Sequence, residues 1–205
     1  MRTVILLVTP ACLAVAVGCV PRLETAGGAE PTVTSDWTLP ENGWESPAGG
    51  PPATLTEGGF AIGDVPPDMR LPDQFGATVS LWQFYGDVIV LDVSTIWCGP
   101  CQDLAETTQE TNEEFAGQGF QYVTIIQQDV EGDVPGVEDA VLWAEDFGIQ
   151  GPVLADDRDP PLSKGVVPDN AFPGVLIIDR DMKIVEKLYA PITDAALHDA
   201  IEAAL

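Results

Sequence analysis

The feature that most constrains this chain is a pair of cysteines, Cys98 and Cys101, placed between a buried strand and a helix. Residues 87–93 form a nearly continuous apolar run, which is typical of a strand covered on both faces of a sheet. Residues 103–116 have the apolar spacing of a helix. At a helix start, unpaired backbone N–H groups and the helix dipole stabilise a thiolate on the first cysteine. The second cysteine is close enough to form a disulfide with it, so the pattern predicts a redox-active dithiol.

The remaining pattern predicts an α/β domain with one mixed central sheet and flanking helices. Alternating strands and helices imply a parallel core, and a late hairpin adds an antiparallel edge. Short strands and turns are expected over residues 60–80. The further predicted elements are strands over 120–127, 175–178 and 183–188, a helix over 137–147, and a last helix capped by Thr193.

Residues 1–18 have the organisation of a lipoprotein signal peptide. Arg2 precedes an apolar run over residues 4–17, which is shorter than the ~20 residues of a membrane-spanning helix. The run ends in Ala16-Val17-Gly18-Cys19, which resembles the bacterial lipobox, although Ala16 stands where that motif usually has Leu. We therefore expect lipidation of Cys19. Plain secretion with cleavage nearby and an uncleaved anchor are the alternatives.

This assignment leaves two cysteines for redox chemistry. Cys12 lies inside the apolar run and would leave with the signal peptide, while Cys19 would carry lipid. Only Cys98 and Cys101 then remain, in an extracytoplasmic space that is oxidising.

Residues 19–58 are predicted to form a flexible linker before a domain over 59–205. The segment is rich in proline and glycine and has no periodic apolar pattern, so it cannot bury enough apolar surface to offset its ordering entropy. Trp37 and Trp44 stand out in it, and a short docking segment around them is an unsupported alternative.

The chain is strongly acidic, with 33 Asp and Glu residues against 8 Lys and Arg residues and a net charge of −25. This balance argues against nucleic acid as a partner, because the phosphate backbone requires a basic surface. It also disfavours close binding to anionic lipid. A solvated acidic surface is the simplest interpretation, with adaptation to a salty medium or steering of a basic partner as alternatives.

The run Trp97-Cys98-Gly99-Pro100-Cys101 matches the active-site motif of thioredoxins. Residues 62–68, 71–76 and 79–81 are similar to the opening of the alkyl-hydroperoxide-reductase/thiol-specific-antioxidant (redoxin) branch of that superfamily. The TlpA/ResA-like membrane-anchored thiol-disulfide oxidoreductases stand beside this branch. The resemblance covers about residues 60–205 and implies a thioredoxin fold that needs no cofactor.

The resemblance also implies roles for individual residues. Cys98, next to Trp97 of the motif, would attack a substrate disulfide, and Cys101 would resolve the mixed disulfide. Asp92 lies six residues before Cys98, where thioredoxins have a buried acid that relays protons, and burial would suit its pKa to that task. Pro173 precedes an apolar strand, as does the cis-proline that faces the dithiol in this fold. An ordinary strand-end Asp and a trans loop proline are the alternatives.

The sequence departs from the family pattern in three places. Residues 92–96 lack the usual aromatic pair, and the helix after the motif lacks the usual kinking proline. Residues 128–170 are longer and richer in proline than a minimal thioredoxin requires, so they are predicted to be an insertion that shapes specificity.

Four rival interpretations of the dithiol are weaker. Zinc would need more ligands than the pair and His198, which is predicted to lie on the surface of the last helix. A purely structural disulfide across so short a loop would stabilise little. Thr95-Ile96-Trp97-Cys98 matches half of the peroxiredoxin motif, but Leu91 replaces its proline. A peroxidase would also need an arginine near the cysteine, and the domain offers Arg70, Arg158 and Arg180.

A copper or haem-protein chaperone of this fold usually has an added histidine ligand.

The expected function is that of an extracytoplasmic, lipid-anchored thiol-disulfide oxidoreductase acting on protein thiols and disulfides. The Gly-Pro dipeptide resembles that of reducing thioredoxins and favours a reductant, which would need a membrane electron donor. The protein is expected to be monomeric and to be located in the cell envelope. A thiol peroxidase of the redoxin family and a non-enzymatic metal or haem-protein chaperone are the alternatives.

Overall fold

The computed structural model describes residues 36–205, so the predicted signal peptide and Cys19 lie outside the described residues. Short 3-10 helices occupy Leu81–Phe84, Leu162–Gly165 and Pro168–Asn170. The strands are β1 (Arg70–Pro72), β2 (Thr78–Ser80), β3 (Val88–Thr95), β4 (Phe120–Gln128), β5 (Val153–Ala155), β6 (Gly174–Ile178) and β7 (Ile184–Tyr189). The helices are α1 (Gly99–Phe115), α2 (Val137–Phe147) and α3 (Asp194–Ala204).

The central sheet has five strands in the order β5-β4-β3-β6-β7. β3 pairs in parallel with β4, and β4 pairs in parallel with β5. β6 and β7 extend the sheet on the other side through antiparallel pairings. β1 and β2 form a separate antiparallel pair. The predicted mixed sheet with flanking helices is confirmed, and the arrangement is a thioredoxin fold.

The central strand β3 is buried along its whole length, which explains its nearly continuous apolar sequence. Its even-numbered residues Val88 and Val90 belong to one apolar cluster with side chains of α1 and α3. Its odd-numbered residues Ile89, Leu91 and Val93 belong to a second cluster that includes side chains of α2. Both faces of β3 are therefore covered, and its carboxyl end delivers the chain directly to the cysteine pair.

Residues 36–58 differ from the predicted flexible linker. They contain no helix or strand, but they lie against the domain. The Trp37 indole N–H donates to Asp68 and Ser80, at 3.1 Å each, and the Trp44 indole N–H donates to Asp73 at 2.7 Å. Both rings pack against the core. Two tryptophans thus supply apolar surface and hydrogen-bond donors that the average composition of the segment conceals.

Trp44→Ala should therefore destabilise the domain. The substitution removes a partly buried ring and leaves Asp73 without the indole donor, so we expect a loss of about 2 kcal/mol in the free energy of unfolding. Leu39→Ala is the matched control, because Leu39 is 48% exposed and should change stability by less than about 0.5 kcal/mol. Urea denaturation measures both, and equal effects would mean that Trp44 is not an anchor.

Residues 128–170 contain part of the fold itself, so the prediction of an insertion there is wrong for α2 and β5. α2 occupies the predicted range 137–147. β5 pairs with β4 from Thr124 opposite Val153 to Ile126 opposite Ala155. With three residues, β5 is too short to produce a periodic pattern in the sequence. Within residues 36–205, no helix has the length and apolar character needed to cross a membrane.

Candidate active site

The cysteine pair lies where β3 ends and α1 begins. Cys98 is the N-cap residue of α1, and a disulfide joins it to Cys101 in the first turn, with a Cα–Cα distance of 5.2 Å. Cys98 is 5% exposed, while Cys101 is fully buried. In the disulfide form Cys98 thus keeps a small exposed surface, and Cys101 keeps none.

The N-terminus of α1 places a hydrogen-bond donor and the positive end of the helix dipole next to the Cys98 sulfur. The Cys101 backbone N–H donates to the Cys98 Sγ at 3.2 Å. Pro100 lies in the first turn, where backbone N–H groups have no intrahelical acceptor, so the helix loses no hydrogen bond through the N–H that proline lacks. α1 begins four residues earlier than predicted, because the cysteine itself caps it. When the disulfide is reduced, this N–H and the helix dipole favour a thiolate at Cys98.

Trp97 forms an aromatic surface beside the dithiol. Its side chain is 47% exposed, and its indole N–H donates to the Gln128 Oε1 at 3.1 Å. Phe172 packs edge-on against it, with ring centroids 5.9 Å apart and an interplanar angle of 88°. The ring is therefore held in place by the end of β4 and by the segment before β6.

Pro173 lies at the same end of the sheet. The Phe172–Pro173 peptide bond is cis, and the next residue, Gly174, pairs with Val93 of β3. The contact between Phe172 and Trp97 connects this segment to the cysteine pair. Pro173 is predicted from the sequence, whereas Phe172 and Gln128 belong to no motif that would mark them.

Asp92 is fully buried in β3. The Ser94 hydroxyl donates to its Oδ1 at 2.8 Å. Burial raises the pKa of Asp92 to about 7, against the opposing effect of the Ser94 hydrogen bond. A carboxyl group with such a pKa exchanges protons readily near neutral pH. Among the described residues, neither Asp92 oxygen is hydrogen-bonded to a cysteine.

Of the domain's three arginines, Arg158 is the one that shares a cleft with Gln128, the hydrogen-bond partner of Trp97. The cleft is about 240 Å³ in volume and also contains Asp133. The Arg158 guanidinium lies 3.3 Å from the Asp157 carboxylate, and the Arg158 side chain is largely exposed. Arg70 pairs with Asp68, and Arg180 donates to the carbonyls of Gln118 and Leu205.

His198 is less exposed than predicted. Its ring packs edge-on against Phe115, with ring centroids 5.4 Å apart, and its Nδ1 lies 3.6 Å from a Glu114 carboxylate oxygen. Its other ring nitrogen lies 3.4 Å from the Thr111 hydroxyl. These contacts tie the ring to the later turns of α1 rather than to its cysteine end.

The fold and the disulfide at the start of α1 define a thioredoxin-like oxidoreductase. The model of the AhpC/TSA family matches residues 62–187, and the chain belongs to that family. This confirms the predicted membership of the redoxin branch of the thioredoxin superfamily. A search of curated protein sequences found no match.

Solved structures of similar fold come from several bacteria. A Chlorobium tepidum protein assigned provisionally as the thiol:disulfide interchange protein DsbE is 26% identical, with a TM-score of 0.60 over 71% of this chain and 99% of that one. A thiol:disulfide interchange protein from Bacteroides sp. is 22% identical, with a TM-score of 0.57 over 70% of this chain and 90% of that one. The peroxidoxin BcpB from Mycobacterium tuberculosis is 21% identical, with a TM-score of 0.58 over 71% of this chain and 97% of that one.

Proposed function

We propose that this protein reduces disulfides in other proteins outside the cytoplasm. The observation that carries the proposal is the Cys98–Cys101 disulfide at the N-terminus of α1, in which Cys98 is slightly exposed and Cys101 is fully buried. The similarity to thiol:disulfide interchange proteins supports it. The Gly-Pro dipeptide between the cysteines, shared with reducing thioredoxins, favours the reducing direction.

The reaction begins with the reduced dithiol. The Cys98 thiolate attacks one sulfur of a substrate disulfide, so that a mixed disulfide forms and the other substrate sulfur leaves as a thiolate. Cys101 then loses its proton and attacks the Cys98 sulfur. The second substrate thiolate leaves, and two electrons have passed to the substrate. A dithiol donor must reduce the Cys98–Cys101 disulfide again before the next cycle.

Asp92 is the proposed acceptor for the Cys101 proton. Burial raises its pKa to about 7, so near neutral pH Asp92 is protonated in some molecules and ionised in others. Asp92 can therefore take a proton in one step and return it in another. The exposed face of Trp97 and the backbone around Pro173 would receive the substrate chain, because both lie at the sheet end that carries the dithiol.

Insulin reduction with a dithiol donor tests this function. We expect the protein to accelerate precipitation of the insulin B chain well above the rate of the donor alone. The same protein, in its oxidised form, should introduce few disulfides into a reduced, unfolded substrate. Rapid oxidation of that substrate without insulin reduction would instead make the protein an oxidant.

A thiol peroxidase is the second candidate, favoured by the AhpC/TSA family and by Arg158 in the cleft beside Trp97. In that reaction the Cys98 thiolate would attack one peroxide oxygen and break the O–O bond, which gives a sulfenic acid and releases the other oxygen as water or an alcohol. Cys101 would then condense with the sulfenic acid to form the disulfide and release water. The ion pair with Asp157 and the exposure of Arg158 make its guanidinium a poor activator of peroxide. Peroxide-dependent oxidation of the donor, measured beside insulin reduction, separates the two candidates.

We also propose that the protein is attached to a cell-envelope membrane through lipid on Cys19. The signal-like run and the lipobox-like Ala16-Val17-Gly18-Cys19 support this location. The intact mass of membrane-extracted protein should correspond to a chain beginning at Cys19 plus acyl groups. An unmodified chain beginning elsewhere would contradict the anchor.

A further inference from the structure

Three polar side chains lie together on the sheet face that packs against α1 and α3. Asp92 of β3 stands directly opposite Thr124 of β4 in the parallel pair, and Tyr122 lies two residues earlier on the same face of β4. All three are buried. The apolar cluster on this face includes Val90, Val175, Ile177, Leu104 and Leu197, and Thr108 of α1 adds a further buried hydroxyl.

The polar atoms of this group are not satisfied by one another in the disulfide form. Ser94 donates to one oxygen of Asp92, but the Asp92 Oδ2 and the Thr124 hydroxyl have no hydrogen-bond partner among the described residues. Buried polar atoms without partners are rare because each one costs free energy. An apolar residue at position 124 would avoid that cost, so the hydroxyl calls for a functional explanation.

We propose that Thr124 is a positioning residue for Asp92. The Thr124 hydroxyl forms a hydrogen bond with the Asp92 Oδ2 while Asp92 exchanges its proton. The inference rests on the proton-transfer role proposed for Asp92. Paired strands lie about 4.8 Å apart, so two side chains on one face are within reach after a small rotation. A hydroxyl both donates and accepts, so Thr124 can donate to the carboxylate and accept from the protonated carboxyl group.

Because Asp92 has few polar neighbours, the Thr124 hydroxyl should have a large effect on the proton affinity of Asp92. No cation contributes to the pKa of Asp92 among the described residues; burial and the Ser94 hydroxyl determine it. Tyr122 is the titratable neighbour on β4, and its pKa is raised by burial and then by the charge of Asp92. α1 presents Leu104 and Thr108, β6 presents Val175 and α3 presents Leu197. Asp194, at the start of α3, acts on Tyr122, and Cys101 becomes titratable once reduced.

The ionised form of Asp92 therefore depends on neutral donors for its stability. Removing the Thr124 donor should disfavour the carboxylate more than the protonated carboxyl group, because hydrogen bonds to charged acceptors are the stronger ones. The proton affinity of Asp92 should rise, and the resolving step should need a higher pH.

The test follows the Asp92 carboxyl carbon by ¹³C NMR as the reduced full-length protein is titrated. We expect Thr124→Val to move the titration midpoint of Asp92 upward by about one pH unit. Thr124→Ser should restore the original midpoint. Thr111→Val is the matched control, because it removes another buried threonine hydroxyl that lies beside His198 instead. The pH midpoint of mixed-disulfide resolution should move with that of Asp92.

An unchanged Asp92 midpoint in folded Thr124→Val would overturn the inference, whatever the enzyme does. Thr124→Ala, which also lacks the hydroxyl, gives the same decision if the valine variant does not fold. A shifted midpoint with restoration by serine supports the hydrogen bond. The proton-transfer role fails separately, if Asp92→Asn resolves mixed disulfides with the wild-type rate and pH profile.

Discussion

Cys98→Ser should abolish disulfide reduction, whereas Cys101→Ser should stop the reaction at the mixed disulfide. Cys98 is the N-cap residue, its Sγ accepts a hydrogen bond from the Cys101 backbone N–H at 3.2 Å, and it is the one of the two cysteines with any exposed surface. A serine hydroxyl is not ionised at neutral pH and cannot replace this thiolate. Insulin turnover by Cys98→Ser should equal the rate of the dithiol donor alone.

The Cys101→Ser variant provides the matched control, because it retains the nucleophile and lacks the resolving thiol. Its Cys98 should accumulate as a covalent adduct with substrate protein, which non-reducing electrophoresis and intact mass detect. Cys98→Ser should form no such adduct. If the two variants trapped substrate equally, or if Cys98→Ser kept wild-type turnover, the roles assigned to the two cysteines would be wrong.

Asp92→Asn should change stability and catalysis in opposite directions. Because the pKa of Asp92 is about 7 in the fold and 3.8 ordinarily, the folded state binds more protons than the unfolded state between these values. The wild-type protein should therefore lose stability as pH rises from about 4 to 7, by up to about 4 kcal/mol. An uncharged amide does not have this penalty, so Asp92→Asn should be the more stable protein at pH 8.

The same variant should resolve mixed disulfides more slowly. Without the carboxylate, the buried Cys101 loses its proposed proton acceptor, and we expect about a hundredfold slower resolving step near neutral pH. Urea denaturation at pH 5 and pH 8 measures the stability, and rapid-mixing release of a labelled substrate measures resolution. Equal stability profiles for the variant and the wild-type protein would contradict the burial-raised pKa.

The sequence predicted the centre of the fold because its signals there are local. The nearly continuous apolar run of β3 and the spacing of α2 matched the observed elements, and Thr193 caps α3 through its hydroxyl as expected. The motif then located the dithiol at the junction between β3 and α1. These features depend on neighbouring residues and on periodicity, which a single sequence contains.

The features that sequence reasoning missed depend on contacts between distant residues. Trp44 lies in a segment rich in proline and glycine, and only its hydrogen bond to Asp73 reveals that the segment packs on the domain. Phe172 reaches Trp97 across the sheet end. The neighbourhood of Asp92 and Thr124 follows from strand register, which no motif records.

The reduction potential of the Cys98–Cys101 pair tests the proposed function most directly. Equilibration of the full chain with glutathione or dithiothreitol buffers, followed by thiol alkylation and mass measurement, gives the potential. A reductant of protein disulfides should show a value close to that of thioredoxin, about −270 mV. A value near about −120 mV, typical of a strong disulfide oxidant, would contradict the account.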